Sequence, residues 1–161
     1  MIQHFIAVLR LLLPEPITHL TGFASLNKEY LAPCDSVHAV VRAGKQIHGI
    51  VDMTWAWPTK SRASTDTFVI SGTDGWISIS VDNAIVRVKI VSRSKNVPEI
   101  IEKPLIGVQV ELASFCDGIA GTDTMDIGEP VGALRDVAFI QAALGSNGTL
   151  VDVFHLVPEG L

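Results

Sequence analysis

The sequence has little of several features that mark whole classes of protein. Only two cysteines occur, Cys34 and Cys116, and they lack metal-ligand spacing. A small secreted domain usually carries more cysteines, in pairs, so we expect a reducing, cytoplasmic setting. The scattered histidines and acidic residues do not complete a ligand pattern either, so no metal is expected.

Charge and long apolar runs are also scarce. Charged residues make up 18% of the chain, the formal net charge is −5, and there is no basic cluster. Such a chain has no electrostatic reason to bind nucleic acid or an anionic membrane. The opening run is interrupted by Arg10, has no basic residue before it, and is shorter than the ~20 residues that span a bilayer. We therefore expect neither a signal peptide nor a membrane anchor.

The apolar residues of this opening run recur at three- and four-residue spacing, which places them on one side of a helix. They are Ile2, Phe5, Ile6, Leu9, Leu12 and Leu13. Pro14 and Pro16 follow, and proline cannot continue a helix. The pattern predicts an amphipathic helix whose apolar stripe needs a covering surface.

Strand patterns fill the middle of the chain. The stretches ITHLTGFASLN, SVHAVVR, IHGIVDMTWAW and AIVRVKIVS are rich in β-branched and aromatic residues, with turn signals such as AGKQ and GTDG along the way. Short turns favour antiparallel pairing. Helical spacing follows in GVQVELASFCDGIAG and EPVGALRDVAFIQAALGS, and TLVDVFHLV fits a last strand.

This order of elements predicts an α+β fold, with an open, mainly antiparallel β-sheet and helices packed on one face, in a single domain over residues 1–161. No strand–helix alternation with a G-x-G-x-x-G turn occurs. We therefore expect no dinucleotide-binding unit and no bound cofactor.

Four segments, in this order, resemble the C-terminal domain of the Gfo/Idh/MocA oxidoreductases. They are HFIAVLRLLL, GIVDMTWAWPTKSRASTDTFVISGTDGWISI, VELASFCDGIAG and ALRDVAFIQAALGSNGTLVDV. The resemblance covers nearly the whole chain. It implies a domain that contacts substrate, covers a nicotinamide cofactor held by an N-terminal Rossmann domain, and often dimerises through its open sheet. No Rossmann domain is recognised in this sequence.

The resemblance also implies a role for His4, which matches the histidine of the family's D-x-G-x-H motif and would take part in substrate binding or proton transfer. The matching aspartate would precede Met1, and the alternative for His4 is a solvated residue in the first helical turn. An E-K-P motif like the family's catalytic lysine motif stands at Glu102, Lys103 and Pro104, but it follows the strands. We interpret Lys103 as a surface charge.

Aromatic and basic residues supply the other candidates. Trp55 and Trp57 are two apart, share one face of a regular strand, and fit the wall of an apolar pocket, with ordinary core or dimer contacts as the alternative. Lys60 and Arg62 in the loop PTKSRAS fit contacts to an anionic or carbonyl group, or are solvated charges. Tyr30, the only tyrosine, is a candidate hydrogen-bond donor.

A further pair stands on the other face of the Trp55 strand. His48 and Asp52 are four residues apart there, which makes them candidates for a proton-transfer pair. The alternative is two polar residues that face solvent.

Two functional hypotheses follow. The first is a cofactor-independent cyclase or isomerase of an apolar biosynthetic intermediate, with His4 and Tyr30 as catalytic residues and with Trp55, Trp57, Lys60 and Arg62 as substrate-binding residues. The second is a non-catalytic dimerisation module or a truncated fragment of an NAD(P)-dependent oxidoreductase. The expected partners are a small-molecule substrate and a second copy of the chain, because helices cover only one sheet face and the other would remain apolar.

Overall fold

The computed structural model describes residues 2–59, 66–95, 97–121 and 130–157, with side chains from Phe5 onward. The chain divides into two compact units, the first formed by Met1–Pro58 and Gly128–Leu161 and the second by Thr59–Ile127. Each unit contains its own four-stranded sheet. That residues 1–161 make up one domain stays a prediction.

The elements follow the predicted order. They are α1 (Ile2–Leu12), β1 (Ile17–Ser25), β2 (Ser36–Ala43), β3 (Ile47–Thr54), β4 (Thr67–Gly72), β5 (Gly75–Asp82), β6 (Ile85–Ser92), β7 (Glu99–Pro104), α2 (Gly107–Ile119), α3 (Pro130–Gly145) and β8 (Val151–Asp152). Short 3-10 helices cover Glu29–Leu31 and Phe154–Leu156.

The first unit is a sheet with helices on one face. Its strand order is β3-β2-β1-β8, all antiparallel, and α3 lies against β1 and β2 while α1 lies against α3. The alternation along β2 explains why the helices cover one face only. Val37, Val41 and Ala43 are buried on that face, whereas His38 and Arg42 are exposed on the other. The core is completed by Ile6, Leu20, Phe139, Ala142, Ala143 and Val153.

One ion pair ties the two helices of this unit together. Arg10 Nε and Nη2 donate to the two carboxylate oxygens of Asp136 at 3.0 and 3.3 Å. Gly132 leaves room for the guanidinium, because a Cβ at that position would lie 2.9 Å from Arg10 Nη2. Since Asp136 is buried, its carboxylate needs this partner to offset the loss of hydration.

The second unit contains the sheet β4-β5-β6-β7, again antiparallel. Its cross-strand pairs separate by face, with Ile79 opposite Val88 on one side and Ser80 opposite Arg87 on the other. Arg87 Nε donates to Glu102 Oε1 at 2.7 Å, and Lys103 is exposed on β7 as expected. The apolar residues of α2, such as Phe115 at 66% exposure, are not buried within the described residues.

The α+β class, the antiparallel strands and the helices on one sheet face are confirmed. One boundary was wrong: β3 ends at Thr54, so Trp55 and Trp57 lie beyond the strand and do not share a face of it. The last strand is only Val151–Asp152, because the chain then enters a 3-10 helix. None of the helices described is long and apolar enough to cross a bilayer.

Candidate functional site

A buried carboxylate organises one end of the first unit's sheet. Asp35 precedes β2 directly, and its side chain accepts hydrogen bonds from the backbone N–H of Asn27 at 2.8 Å and of Lys28 at 2.7 Å. The Asn27 side-chain amide donates to it at 2.9 Å and the Ser36 hydroxyl at 3.0 Å. Only 2% of Asp35 is exposed. Four donors thus fix the loop that leads from β1 to β2.

These donors also determine the ionisation of Asp35. Burial opposes the charged form and would raise its pKa, but the hydrogen bonds from Asn27, Lys28 and Ser36 outweigh burial and hold the pKa of this carboxyl below its ordinary value. Asp35 is therefore a carboxylate at neutral pH, committed to holding the loop rather than free to transfer protons.

The same cluster holds the segment that carries the tryptophans. Trp55 N–H donates to the backbone carbonyl of Asp35 at 2.8 Å, and the Ser36 and Thr54 hydroxyls lie 2.7 Å apart. Thr54 Oγ1 accepts a further bond from Ala56 N–H at 3.1 Å. These bonds turn the chain out of β3 directly after Thr54, which is why the strand ends there.

Lys28, in the loop that follows β1, makes a second link between that loop and the tryptophan segment. Its ammonium group donates to the backbone carbonyl of Trp57 and is partly buried. The segment Trp55–Trp57 is thereby bound at both ends to the loop that follows β1. Both tryptophan side chains are partly exposed, so an anchored backbone presents two large aromatic surfaces with access to solvent.

The remaining candidates lie in different places. Tyr30 belongs to the 3-10 helix of the loop held by Asp35 and is 78% exposed, with its hydroxyl available to solvent or to a ligand. His4 is in the first turn of α1, but its side chain lies outside the described residues. Lys60 and Arg62 lie outside them as well. The structure therefore brings Trp55 and Trp57 together with the loop that carries Tyr30.

The proposed pairing of His48 with Asp52 is not the one that forms. Asp52 Oδ1 lies 3.0 Å from Nδ1 of His38, its cross-strand neighbour on β2. Both side chains are largely exposed on the sheet face opposite α3. Cross-strand neighbours on one face are closer than residues four apart along a strand, which explains the partner.

Asp35, Asn27 and Lys28 are the residues that sequence reasoning missed. The signal was present as a polar residue pattern, N-K-E-Y-L-A-P-C-D-S, between two strands. Asn and Asp side chains commonly bond the backbone of such loops.

Comparisons with known proteins match this fold over almost the full chain. The sequence is 33% identical over 147 residues to Dehydrogenase FPY6 of Fusarium mangiferae, which corresponds to 89% of this chain and 41% of that protein. An oxidoreductase from Thermotoga maritima matches with a TM-score of 0.76 and 30% identity, over 96% of this chain and 43% of that one. No model of a protein family matches.

A second solved structure has the same fold at lower identity. It is an oxidoreductase from Agrobacterium radiobacter in complex with NAD+, L-tartaric acid and magnesium, with a TM-score of 0.77 at 18% identity, over 96% of this chain and 48% of that one. This chain has the C-terminal domain fold of the Gfo/Idh/MocA oxidoreductases. It spans less than half the length of each of these relatives.

Proposed function

We propose that this Gfo/Idh/MocA-type chain is the substrate-binding part of a dehydrogenase, and that its substrate site lies at the sheet end organised by Asp35. The observation that carries the proposal is the 33% identity to a dehydrogenase over 147 residues. The position of the site is inferred from the hydrogen-bonded cluster of Asp35, Asn27, Lys28 and Ser36. This cluster holds the backbone of the Trp55–Trp57 segment and the loop that carries Tyr30.

The side chains there favour a substrate with an apolar or ring-shaped carbon skeleton. The indoles of Trp55 and Trp57 offer flat apolar surfaces, and Tyr30 offers a hydroxyl that both donates and accepts hydrogen bonds. The Lys28 ammonium is already bound to the Trp57 carbonyl. A small secondary alcohol or the matching ketone therefore suits this site better than a strongly anionic compound.

His4 is the candidate for proton transfer in this proposal. Residues 13–16 connect α1 to β1, and so short a connection reverses the chain. The proposal places the first turn of α1, and with it His4, at the end of β1 that Asp35 joins. An imidazole there is suited to accept the hydroxyl proton of an alcohol or to return it to a carbonyl oxygen near neutral pH.

The described residues do not fit a nicotinamide dinucleotide. Their strands pair only antiparallel, and the strand-to-helix junction between β7 and α2 is the sequence PLIG at residues 104–107 rather than a G-x-G-x-x-G turn. A dinucleotide needs such a turn at a helix N-terminus to hold its pyrophosphate. The proposal therefore assigns the cofactor to residues other than these.

The cofactor-independent cyclase or isomerase remains the competing proposal. It would use the same aromatic wall, with orientation and one hydrogen-bond donor in place of redox chemistry. The two proposals differ in the mass of the product, because isomerisation and most cyclisations conserve the formula whereas dehydrogenation removes two hydrogen atoms.

A combined binding and product assay tests the dehydrogenase proposal. In calorimetric titrations, the chain is expected to show no low-micromolar binding of NAD+ or NADP+. Incubated alone with candidate alcohols it should form no product. With the cofactor-binding half of a relative and added NAD+ or NADP+, which accepts the hydride, it should form a ketone lighter by two hydrogens. An isomer produced by the chain alone would contradict the proposal and support the competing one.

A two-fold homodimer through the open sheet face of the first unit is also proposed. The face opposite α3 exposes Phe23, Val40 and Ile50, the last at 81%, and the pair Val40–Ile50 stands directly across β2 and β3. Pairing two such faces would bury these side chains in an isologous contact. Light scattering should give twice the chain mass at micromolar concentration, and Ile50→Lys should shift it to the monomer. A parent protein that stays monomeric would contradict this proposal.

A further inference from the structure

A second polar group lies on the open sheet face of the first unit, apart from the Asp35 end. A cavity of about 190 Å³ is lined there by His19, Arg42, Lys45, Gln46 and His48, with apolar residues between them. None of the described residues that line it is acidic. Its volume equals about six water molecules in the liquid, which is room for a small polyatomic ion.

The strand register builds this group. Arg42 on β2 stands directly opposite His19 on β1 and directly opposite His48 on β3. Cross-strand partners have their Cβ atoms about 5 Å apart on one sheet face, so three nitrogen-bearing side chains form a row across three strands. The β2–β3 turn then adds Lys45 and Gln46 at the end of this row, and Gly44 permits the turn with its φ of +54°.

Arg42 and Lys45, the arginine and the lysine of this group, lack an acidic partner among the described residues. Arg42 Nε donates to the Gly44 carbonyl at 3.1 Å, and neither Arg42 nor Lys45 lies within ion-pair distance of a described carboxylate. Asp152 lies beyond His19 and is shared between His19 Nε2 at 3.8 Å and His155 Nε2 at 3.5 Å.

A second carboxylate lies behind the turn. Glu15 packs against Gly44, where a Cβ would lie 1.8 Å from its Oε2. It is not part of the cavity lining, so the described lining residues supply hydrogen-bond donors and no carboxylate.

We propose that this cavity binds a small oxyanion, either a phosphate group or a carboxylate group of a small molecule. Arginine presents a planar fork of donors that matches either group, and lysine adds a point charge. His19, Gln46 and His48 supply further N–H donors around it. The site is separate from the proposed substrate site and does not depend on it. It lies on the same sheet face as the proposed dimer contact, and Val40 belongs to both.

Calorimetric titration of the whole chain with inorganic phosphate, and separately with malonate, tests this site at constant ionic strength. Saturable binding of either anion is expected, and the tighter of the two identifies the group as phosphate or carboxylate. Arg42→Gln and Lys45→Gln should each weaken binding about tenfold or more, the loss of one charge-assisted contact. Lys45 lies in an exposed turn, so this variant leaves the strands intact.

Arg87→Gln and Lys103→Gln are the matched controls, because they remove the same charges from the second unit. Both should bind the anion as the parent does. Binding that does not saturate, that weakens equally in these controls, or that survives both Arg42→Gln and Lys45→Gln overturns the proposal. Because the proposed dimer uses the same sheet face, the titrations are repeated on Ile50→Lys, whose anion binding should equal or exceed that of the parent.

Discussion

Asp35→Ala is expected to release the loop after β1 and the Trp55–Trp57 segment together, and to lower the thermal midpoint by roughly 5 °C or more. The alanine leaves the partly buried N–H groups of Asn27 and Lys28 without their acceptor. Differential scanning calorimetry measures the midpoint. Amide exchange of residues 26–35 and 54–57 should accelerate more than exchange in α3.

Asp52→Ala is the control for this change, since it removes a carboxylate of the same unit that pairs with His38 on an exposed surface. Its midpoint should move little. If Asp35→Ala and Asp52→Ala had equal midpoints, Asp35 would not organise this end of the sheet.

The pH dependence of stability follows from the lowered pKa of Asp35. Because the folded-state pKa lies below the unfolded value, the stabilisation is fully present above the ordinary range of a carboxyl group, about pH 4. It is lost as the pH falls further through the folded-state pKa. Urea unfolding of the parent should therefore lose stability steeply below about pH 4, and Asp35→Asn should show a shallower loss.

His4→Ala is expected to lower turnover ~10²-fold or more in the reaction that the product assay identifies, while the fold stays intact. The reason is the proposed proton transfer by the imidazole at the start of α1. Steady-state kinetics and far-ultraviolet circular dichroism, measured on the same preparation, separate the chemical effect from unfolding.

His38→Ala is a suitable control, because it removes an exposed imidazole from the sheet face opposite α3. Its turnover should equal that of the parent. A His4→Ala variant as active as the parent would show that this histidine is a solvated helix residue without a catalytic role.

Periodicity predicted the sheet of the first unit because alternate side chains of its central strand β2 are buried on one face. Val37, Ala39 and Val41 alternate with exposed residues, and the same alternation fixes the register between β2 and β3. The sequence did not indicate that strands β4–β7 form a second sheet, since pairing across the chain depends on tertiary contacts rather than on alternation.

The buried side of α3 was less accessible to sequence reasoning. Leu134 and Val137 are large apolar residues of this helix, yet both are exposed. The residues that pack on the sheet are Ala138, Phe139, Ala142 and Ala143. Small side chains allow a helix to approach a sheet closely, and a search for large apolar residues overlooks them.

The hydrogen bonds of the candidate site were likewise not predictable from the sequence. Two tryptophans close together are visible in the sequence, but the bonds from Trp55 and Lys28 that hold them join segments about 20 to 30 residues apart. Asp35 receives donors from Asn27, Lys28 and Ser36 only after the loop has closed. A carboxylate whose partners assemble on folding gives no periodic signal.

The location of the substrate site is tested most directly by the three tryptophan indole N–H signals in a proton–nitrogen NMR titration with cyclic secondary alcohols and their ketones. Trp55→Phe and Trp57→Phe assign the signals, and Trp76 in the second unit, beside Lys89, serves as the internal reference. The account predicts that the Trp55 and Trp57 signals shift in a saturable manner while the Trp76 signal stays in place. A saturable shift of Trp76 with unchanged Trp55 and Trp57 signals would contradict it.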